Sequence, residues 1–526
     1  MKRRLVHSVA LVLATSLALV GCGGGGGRDA VGTAGHNAAD EREADRSATL
    51  RVAQNYAAQA MDPHKVGSTT AAFPYVSLVY DRLTQMGPKL ELELMLATDW
   101  EFSEDGRSVT FTLRDDVTFS DGAVLDAAAV KASLDRALTL PESTVRAFLT
   151  MIESVEVVDA QHVRVNSNRP AMDLPYVLAS TEGSIISPNA LGNPDLDVAP
   201  VGSGPYLAED VRLGSSITFV RRDGYWDPEA APSARIEMVS VPDDNTRTSA
   251  LRAGEYDLSV GKLGQLDQLQ QLSDYTTTLH PAAPIYTIGL NTARPNIDNV
   301  LVRQALNYAI DRDAINSALT ADSCDPIGQP LTESYDGHLT DPPVEYDYDV
   351  EKAKELLAEA GVPDGFAMTI VHGQGIDPEG QIAEAVQGML AKVGIDVTVL
   401  PVDGTQLYAN WAAGQYDGFI TPKPTKPTGA MTLSQYYLSK ARYPGPPPEG
   451  FAETLQPAYD PALTEEERVQ AVEDASSIAV EQAMDVYICA VPTIITYADD
   501  VVGAESMGAS FFQGIADLRN VGIAKG

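Results

Sequence analysis

Histidine, cysteine, serine and lysine carry most enzyme chemistry, so their spacing is the first thing to read. The seven histidines, at 7, 36, 64, 162, 280, 338 and 372, are scattered, and no two share the i, i+4 spacing of a helical zinc site. No G-x-S-x-G elbow presents a nucleophile and no Walker loop cradles a phosphate; Gly373, Gly375 and Gly380 are too irregular for a dinucleotide fingerprint. With 73 Asp+Glu, a paired acid and base could be drawn almost anywhere, so their abundance says nothing. An enzyme is not indicated, and neither a metal nor a cofactor is implied. The segment that stands out is 416–436, YDGFITPKPTKPTGAMTLSQY. After Asp417 it holds no acid, and Lys423 and Lys426 sit among the hydroxyls of Thr421 and Thr425. Two ammonium groups facing a low-dielectric cleft repel a ligand amine and suit a carboxylate, a phosphate or a hydroxyl-rich solute. The alternative is a solvated lysine pair on a proline-rich loop. Tyr56, Phe73 and Trp411 are the candidate aromatic walls, each of which could equally be core.

Composition narrows the function classes. The 526 residues carry 37 Lys+Arg against 73 Asp+Glu, a formal charge of −36. Such a surface repels nucleic acid and anionic membranes alike. At 44% hydrophobic and 21% charged the chain is ordinary globular protein, and its length implies two or more lobes, because single cores stop growing near roughly 250–300 residues. Three cysteines, at 22, 324 and 489, exclude a disulfide-dense scaffold.

The amino terminus reads as an export signal over residues 1–21. Lys2, Arg3 and Arg4 precede an apolar run from Val9 to Val20 that is short for a bilayer span. The run ends in Leu19, Val20, Gly21 and Cys22, which resembles the bacterial lipobox. Acylation of Cys22 would hold the protein on the outer face of a bacterial membrane without spanning it. Residues 22–48 have almost no bulky apolar side chain and read as a tether.

The elements that must position any site begin near Thr49. TLRVA at 49–53 has a short strand pattern, and Asp62 reads as a helix cap before an apolar stretch to Leu83. Val109, Phe111 and Leu113 alternate with polar residues as in a half-buried strand, Asp121-Gly122 turns the chain, and Asp126 caps a helix with Val130, Leu134 and Leu138 on one face. A second helix follows Asp349, with Ala353, Leu356, Leu357 and Ala360 on its apolar face and Gly361 at its end. Gly202 and Gly204 predict a close backbone approach, and Tyr206, Tyr225 and Trp226 predict core.

The block from Asp105 to Leu138 resembles the peptide- and nickel-type extracytoplasmic solute-binding proteins that feed ABC importers, solute-binding protein family 5. VGSGPYLAEDV at 201–211, RRDGYWDP at 221–228, LRAGEYDLSV at 251–260, the run 288–315, YDVEKAKELLAEAG at 348–361 and the YD of GQYDGF continue the resemblance in order. It implies an α/β, two-lobed periplasmic-binding-protein fold of type II, a hinged clamp with an extra inserted subdomain. On that reading lobe 1 spans 49–282, with the insert at about 76–198, and is completed by 490–526; lobe 2 spans 283–489. The crossings are expected near Leu279–Tyr286 and Met484–Pro492. The implied function is capture of a peptide-like or other polar organic solute by a monomer and its delivery to an ABC permease. A nickel-chelate or sugar receptor, or a sensing or adhesion lipoprotein, is the alternative. In the family's peptide receptors an aspartate about nine residues after the YD holds the peptide amine, and Lys426 occupies that count here. Cys324 and Cys489, in an oxidising compartment, are either bridged, worth about 5 kcal/mol by loop closure, or two separate buried thiols.

Overall fold

The computed structural model describes residues 42–280, 283–374, 378–507, 514 and 517–526. The export signal, Cys22 and most of the tether lie outside the described residues. The tether's last residues are not free chain: Asp45 N donates to Ile523 O (2.7 Å) and Arg42 to the carbonyl of Val501 (3.0 Å).

Two large mixed sheets organise the body. The first has seven strands, in the order Tyr275–His280, Thr493–Ala498, Leu258–Gly261, Thr49–Gln54, Arg235–Ser240, Ser216–Arg221 and Tyr206–Arg212. Its centre, Thr49–Gln54, runs parallel to both neighbours. The second has six strands, in the order Asp325–Pro326, Asp485–Ala490, Ile285–Leu290, Gly418–Lys423, Ala367–Gly373 and Asp396–Val402. Ile285–Leu290 and Asp485–Ala490 are buried along their whole length. The chain leaves the first sheet after His280, enters the second at Ile285, and returns between Ala490 and Thr493.

An antiparallel sheet of four strands, drawn from residues 97–167, is inserted in the part of the chain that builds the first large sheet. Here the alternation of Val109, Phe111 and Leu113 becomes a strand with all three buried. Gly122 turns at φ 86°, which a side chain would resist, and Asp126 caps Ala127–Thr139 by accepting from Ala129 N at 2.8 Å. Asp349 caps Val350–Glu359 in the same way. A Cβ at Gly202 would stand 2.1 Å from Val79 O, so the backbones touch as expected.

Asp62 differs from the expectation. It is fully buried and caps no helix; the Arg136 guanidinium grips both its oxygens, at 3.0 and 2.6 Å, and Ser68 caps Thr69–Val76 instead. Sequence proximity suggested a local cap, whereas a partner 74 residues away satisfies the carboxylate. Tyr225 and Trp226 are half-buried rather than core, and both donate to buried Asp81, each at 3.0 Å.

Cys324 and Cys489 form a disulfide with Cα atoms 5.6 Å apart, fastening the edge strand Asp325–Pro326 to Asp485–Ala490. Among the described residues no helix is long and apolar enough to cross a membrane.

Candidate functional site

In open α/β sheets the loops beyond the carboxyl ends of parallel strands are where ligands meet backbone ends and side chains together. Asn55 and Tyr56 follow the central strand of the first sheet, and Gly261, Lys262 and Leu263 end or follow its parallel neighbour. These residues form one wall of a cleft of ≈ 270 Å³. The other wall comes from the second sheet and its helices: Tyr286, Glu379, Tyr408, Thr421, Pro422 and Arg442. Pro284 and Pro492, at the two crossings, close its back. The cleft therefore lies between the two large sheets, beside both crossings.

Its second wall carries aromatic rings and a cation. Tyr408 meets Phe419 edge-on at 5.6 Å, and Trp411 also lies 5.6 Å from Phe419. The Arg442 guanidinium sits 5.2 Å over the Tyr408 ring, and no carboxylate among the described residues is paired with it. A guanidinium stacked on a ring keeps its planar fork free for a carboxylate. On the facing wall the Asn55 carbonyl oxygen is enclosed without a hydrogen-bond partner, a group that asks for a donor.

Glu379, in the first turn of Glu379–Ala391, is 4% exposed. Burial pushes its carboxyl up to about 7, although Gly373 N donates to it at 3.1 Å and the charge of Lys262 opposes the shift. Lys262 itself pairs with Asp244 at 3.0 Å on the first wall.

Of the residues singled out by sequence, the structure brings Tyr56 and Thr421 to the cleft. Trp411 is buried beneath it, donating from Nε1 to Arg442 O at 2.8 Å and so fixing the arginine's backbone. Lys423 is buried and paired with Asp485, with the Tyr436 and Tyr437 rings 4.6 and 4.9 Å from its ammonium. Thr425 is buried and is not among the residues that line the cleft. Lys426 reaches instead over Phe148 of the inserted part, at 4.5 Å. Phe73 is not among the described residues that line this cleft; its ring carries the Arg82 guanidinium at 4.8 Å. The YD aspartate, Asp417, is structural, bonded to Arg294 (2.7 Å) and Thr369 N (2.8 Å).

Sequence reading missed Arg442, Glu379 and Asn55. Arg442 lies in SKARYPGPPPEG, where nothing marks one cation above another; Glu379 and Asn55 become distinctive only through burial. Among the described residues no three His, Cys, Asp or Glu are grouped to hold a metal ion.

Two sheet-based lobes joined by two crossings, with a ligand-sized cleft between them, define the type II fold of extracytoplasmic solute receptors. The family described as bacterial extracellular solute-binding proteins, family 5 (middle), matches residues 91–445, and the chain belongs to it. The glutathione-binding protein GsiB of Salmonella paratyphi A is 31% identical over 417 residues, covering 75% of this chain and 80% of that protein. HbpA2 from Haemophilus parasuis shares the fold with a TM-score of 0.79 at 24% identity, over 91% of this chain and 100% of its own. The binding protein AgaA of A. tumefaciens R10, solved with agropinic acid, has a TM-score of 0.75 at 26% identity, over 91% of this chain and 99% of its own. The function is that of the family: capture of a small solute outside the cytoplasm and its delivery to an ABC importer.

Proposed function

We propose that the solute is a polar organic molecule bearing a carboxylate, a short or modified peptide or a similar organic acid, and that Arg442 is its anchor. The observation that carries this is the unpaired guanidinium stacked on Tyr408 in the cleft. A donor group on the solute meets the Asn55 carbonyl, and Glu379 in its protonated form donates or in its ionised form accepts. The relatives support this chemistry, since one binds glutathione and another was solved with an organic acid. The lysines expected to do this work are committed elsewhere, Lys423 to Asp485 and Lys426 to a ring.

The same reading takes the lobes as 49–282 with 490–526, and 283–489, closing as a monomer about the crossings. A solute shifts the clamp towards closure only by what it gains from both walls at once. Cys22 carries the lipid that holds the receptor beside its permease, and the receptor releases the solute unchanged rather than converting it.

Calorimetry with glutathione, with a set of di- and tripeptides, and with the same peptides amidated at the carboxyl end tests the proposal. Carboxylated solutes bind saturably to the wild type, and Arg442→Ala weakens them by at least about tenfold, the worth of a charge-assisted bidentate contact. Equal binding of amidated and free acids, or an unchanged Arg442→Ala, overturns it.

A further inference from the structure

The solute cleft has an annex. A cavity of ≈ 20 Å³ shares Thr421, Pro424 and Arg442 with the cleft and reaches in to Gly289, Lys423 and the Trp411 ring. Such a volume holds one water-sized group. Its floor is one face of the second sheet: Gly289 and Phe419 are register partners, and Thr421 and Lys423 follow Phe419 at alternate positions.

Two polar atoms on that face are buried without a hydrogen-bond partner among the described residues, Asp485 Oδ1 and Thr287 Oγ1, both on residues of 0% exposure. Asp485 is the register partner of Gly289, and Thr287 that of Thr421, so each adjoins a residue lining the annex. A Cβ built on Gly289 would stand 3.8 Å from Asp485 Oδ1 and 3.5 Å from the Trp411 ring, which is ordinary contact. The glycine thus leaves open the space before that oxygen, and a methyl would fill it.

Size and charge select what can enter. The other Asp485 oxygen is taken by the Lys423 ammonium and the Tyr437 hydroxyl. The lysine already neutralises this carboxylate, and Arg442 adds a second cation to the lining, so an ammonium is repelled. A carboxylate exceeds the volume, and a methyl leaves both orphaned atoms unpaired. The other polar groups of the lining are engaged: Thr421 bonds to Pro422 O at 3.2 Å, Gln435 to Pro424 O at 2.7 Å and Tyr436 to Lys423 O at 3.1 Å. One small neutral group that both donates and accepts satisfies the two orphans together, and that group is a hydroxyl.

We propose that the annex is a hydroxyl subsite and that the solute is a hydroxy acid, its hydroxyl donating to Asp485 Oδ1 and accepting from Thr287. This rests on the reading of Arg442 as the carboxylate's anchor, because Arg442 borders both spaces and sets the hydroxyl a few bonds from the carboxylate. Gly289 and Thr287 then determine specificity.

Calorimetry compares gluconate, a polyhydroxy acid, with hexanoate, the acid of the same chain length without hydroxyls. The wild type is expected to bind gluconate saturably and at least about tenfold more tightly than hexanoate, the worth of a hydrogen bond to a charged group. Gly289→Ala, in an extended strand, fills the annex, and Thr287→Val removes the unpaired hydroxyl at nearly constant shape. Each is expected to reduce the gluconate-to-hexanoate ratio at least about fivefold, whereas Arg442→Ala weakens both acids and keeps the ratio. Circular dichroism confirms that each variant is folded. The subsite is overturned if gluconate does not bind, if the two acids bind alike, or if both strand variants keep the wild-type ratio, the result expected of a cavity that holds only water. Peptide acids that still bind through Arg442 in any of those cases leave the carboxylate anchor standing. A ratio that collapses in the strand variants while Arg442→Ala changes neither acid supports the subsite and removes the anchor.

Discussion

Lys423 reaches past the central strand of the second sheet to Asp485, two strands away from its own. Both residues are buried, at 7% and 0% exposure, and Tyr437 donates a further bond to the same Asp485 oxygen at 2.8 Å. Gly289 is the register partner of Asp485 on the strand between them. Burial holds the lysine below its ordinary range while the aspartate opposes that shift. Removing one partner strands the other charge, so Lys423→Met is expected to cost about 3–5 kcal/mol in urea denaturation. The double variant Lys423→Met, Asp485→Leu is expected to lose much less than the sum of the two single changes. Additive losses would show that the pair is not coupled.

Glu379 gives the cleft a titration near neutrality. Its folded value of about 7 lies above the ordinary 4.5, so between those pH values the folded protein holds a proton that the unfolded chain has lost. Stability from this group therefore falls as pH rises through that window, by up to about 3 kcal/mol. Glu379→Gln, which can still accept from Gly373 N, is expected to match the wild type at pH 4 and to exceed it at pH 8. Melting temperatures across that range measure the gap; a gap that does not grow with pH contradicts the assignment.

The disulfide encloses 165 residues. Chain entropy assigns such a closure about 5 kcal/mol, so reduction under non-denaturing conditions should lower the denaturation midpoint markedly. Cys324→Ala together with Cys489→Ala should reproduce the reduced protein, since both thiols are buried and neither lines the solute cleft. A midpoint unaffected by reductant would place the stability elsewhere.

What could be read from sequence was what repeats locally. The alternation at Val109, Phe111 and Leu113, the caps at Asp126 and Asp349 and the close approach at Gly202 all follow from periodicity or steric need, and the ordered motifs identified the family. Long-range pairing left no such trace. Asp62 looks like a helix cap until Arg136 is folded onto it, and Lys423 looks like a ligand contact until Asp485, 62 residues on, is seen beneath it. Tyr225 and Trp226 read as core because aromatic residues usually are, yet their polar ends reach Asp81. Arg442 is the converse case, a cation set apart by its ring contact with Tyr408 and by having no carboxylate partner among the described residues.

The Asp62 cluster also sets an acid limit on the fold. Arg136 donates to His64 Nδ1 at 2.9 Å, so that nitrogen accepts and the ring is neutral. Burial foremost, then the arginine, lowers the His64 value to about 4. The unfolded histidine takes up its proton near 6.5, well before the folded one does. Its contribution is therefore complete above pH 6.5 and is lost as pH falls towards 4, about 3 kcal/mol in all. His64→Leu should be less stable than the wild type at pH 7.5, because it removes an acceptor from Arg136, but should lose less on acidification. Urea midpoints at pH 7.5, 6, 5 and 4.5 follow the difference. Parallel profiles for the two proteins would mean that His64 is already charged in the folded state, which the geometry of Arg136 forbids.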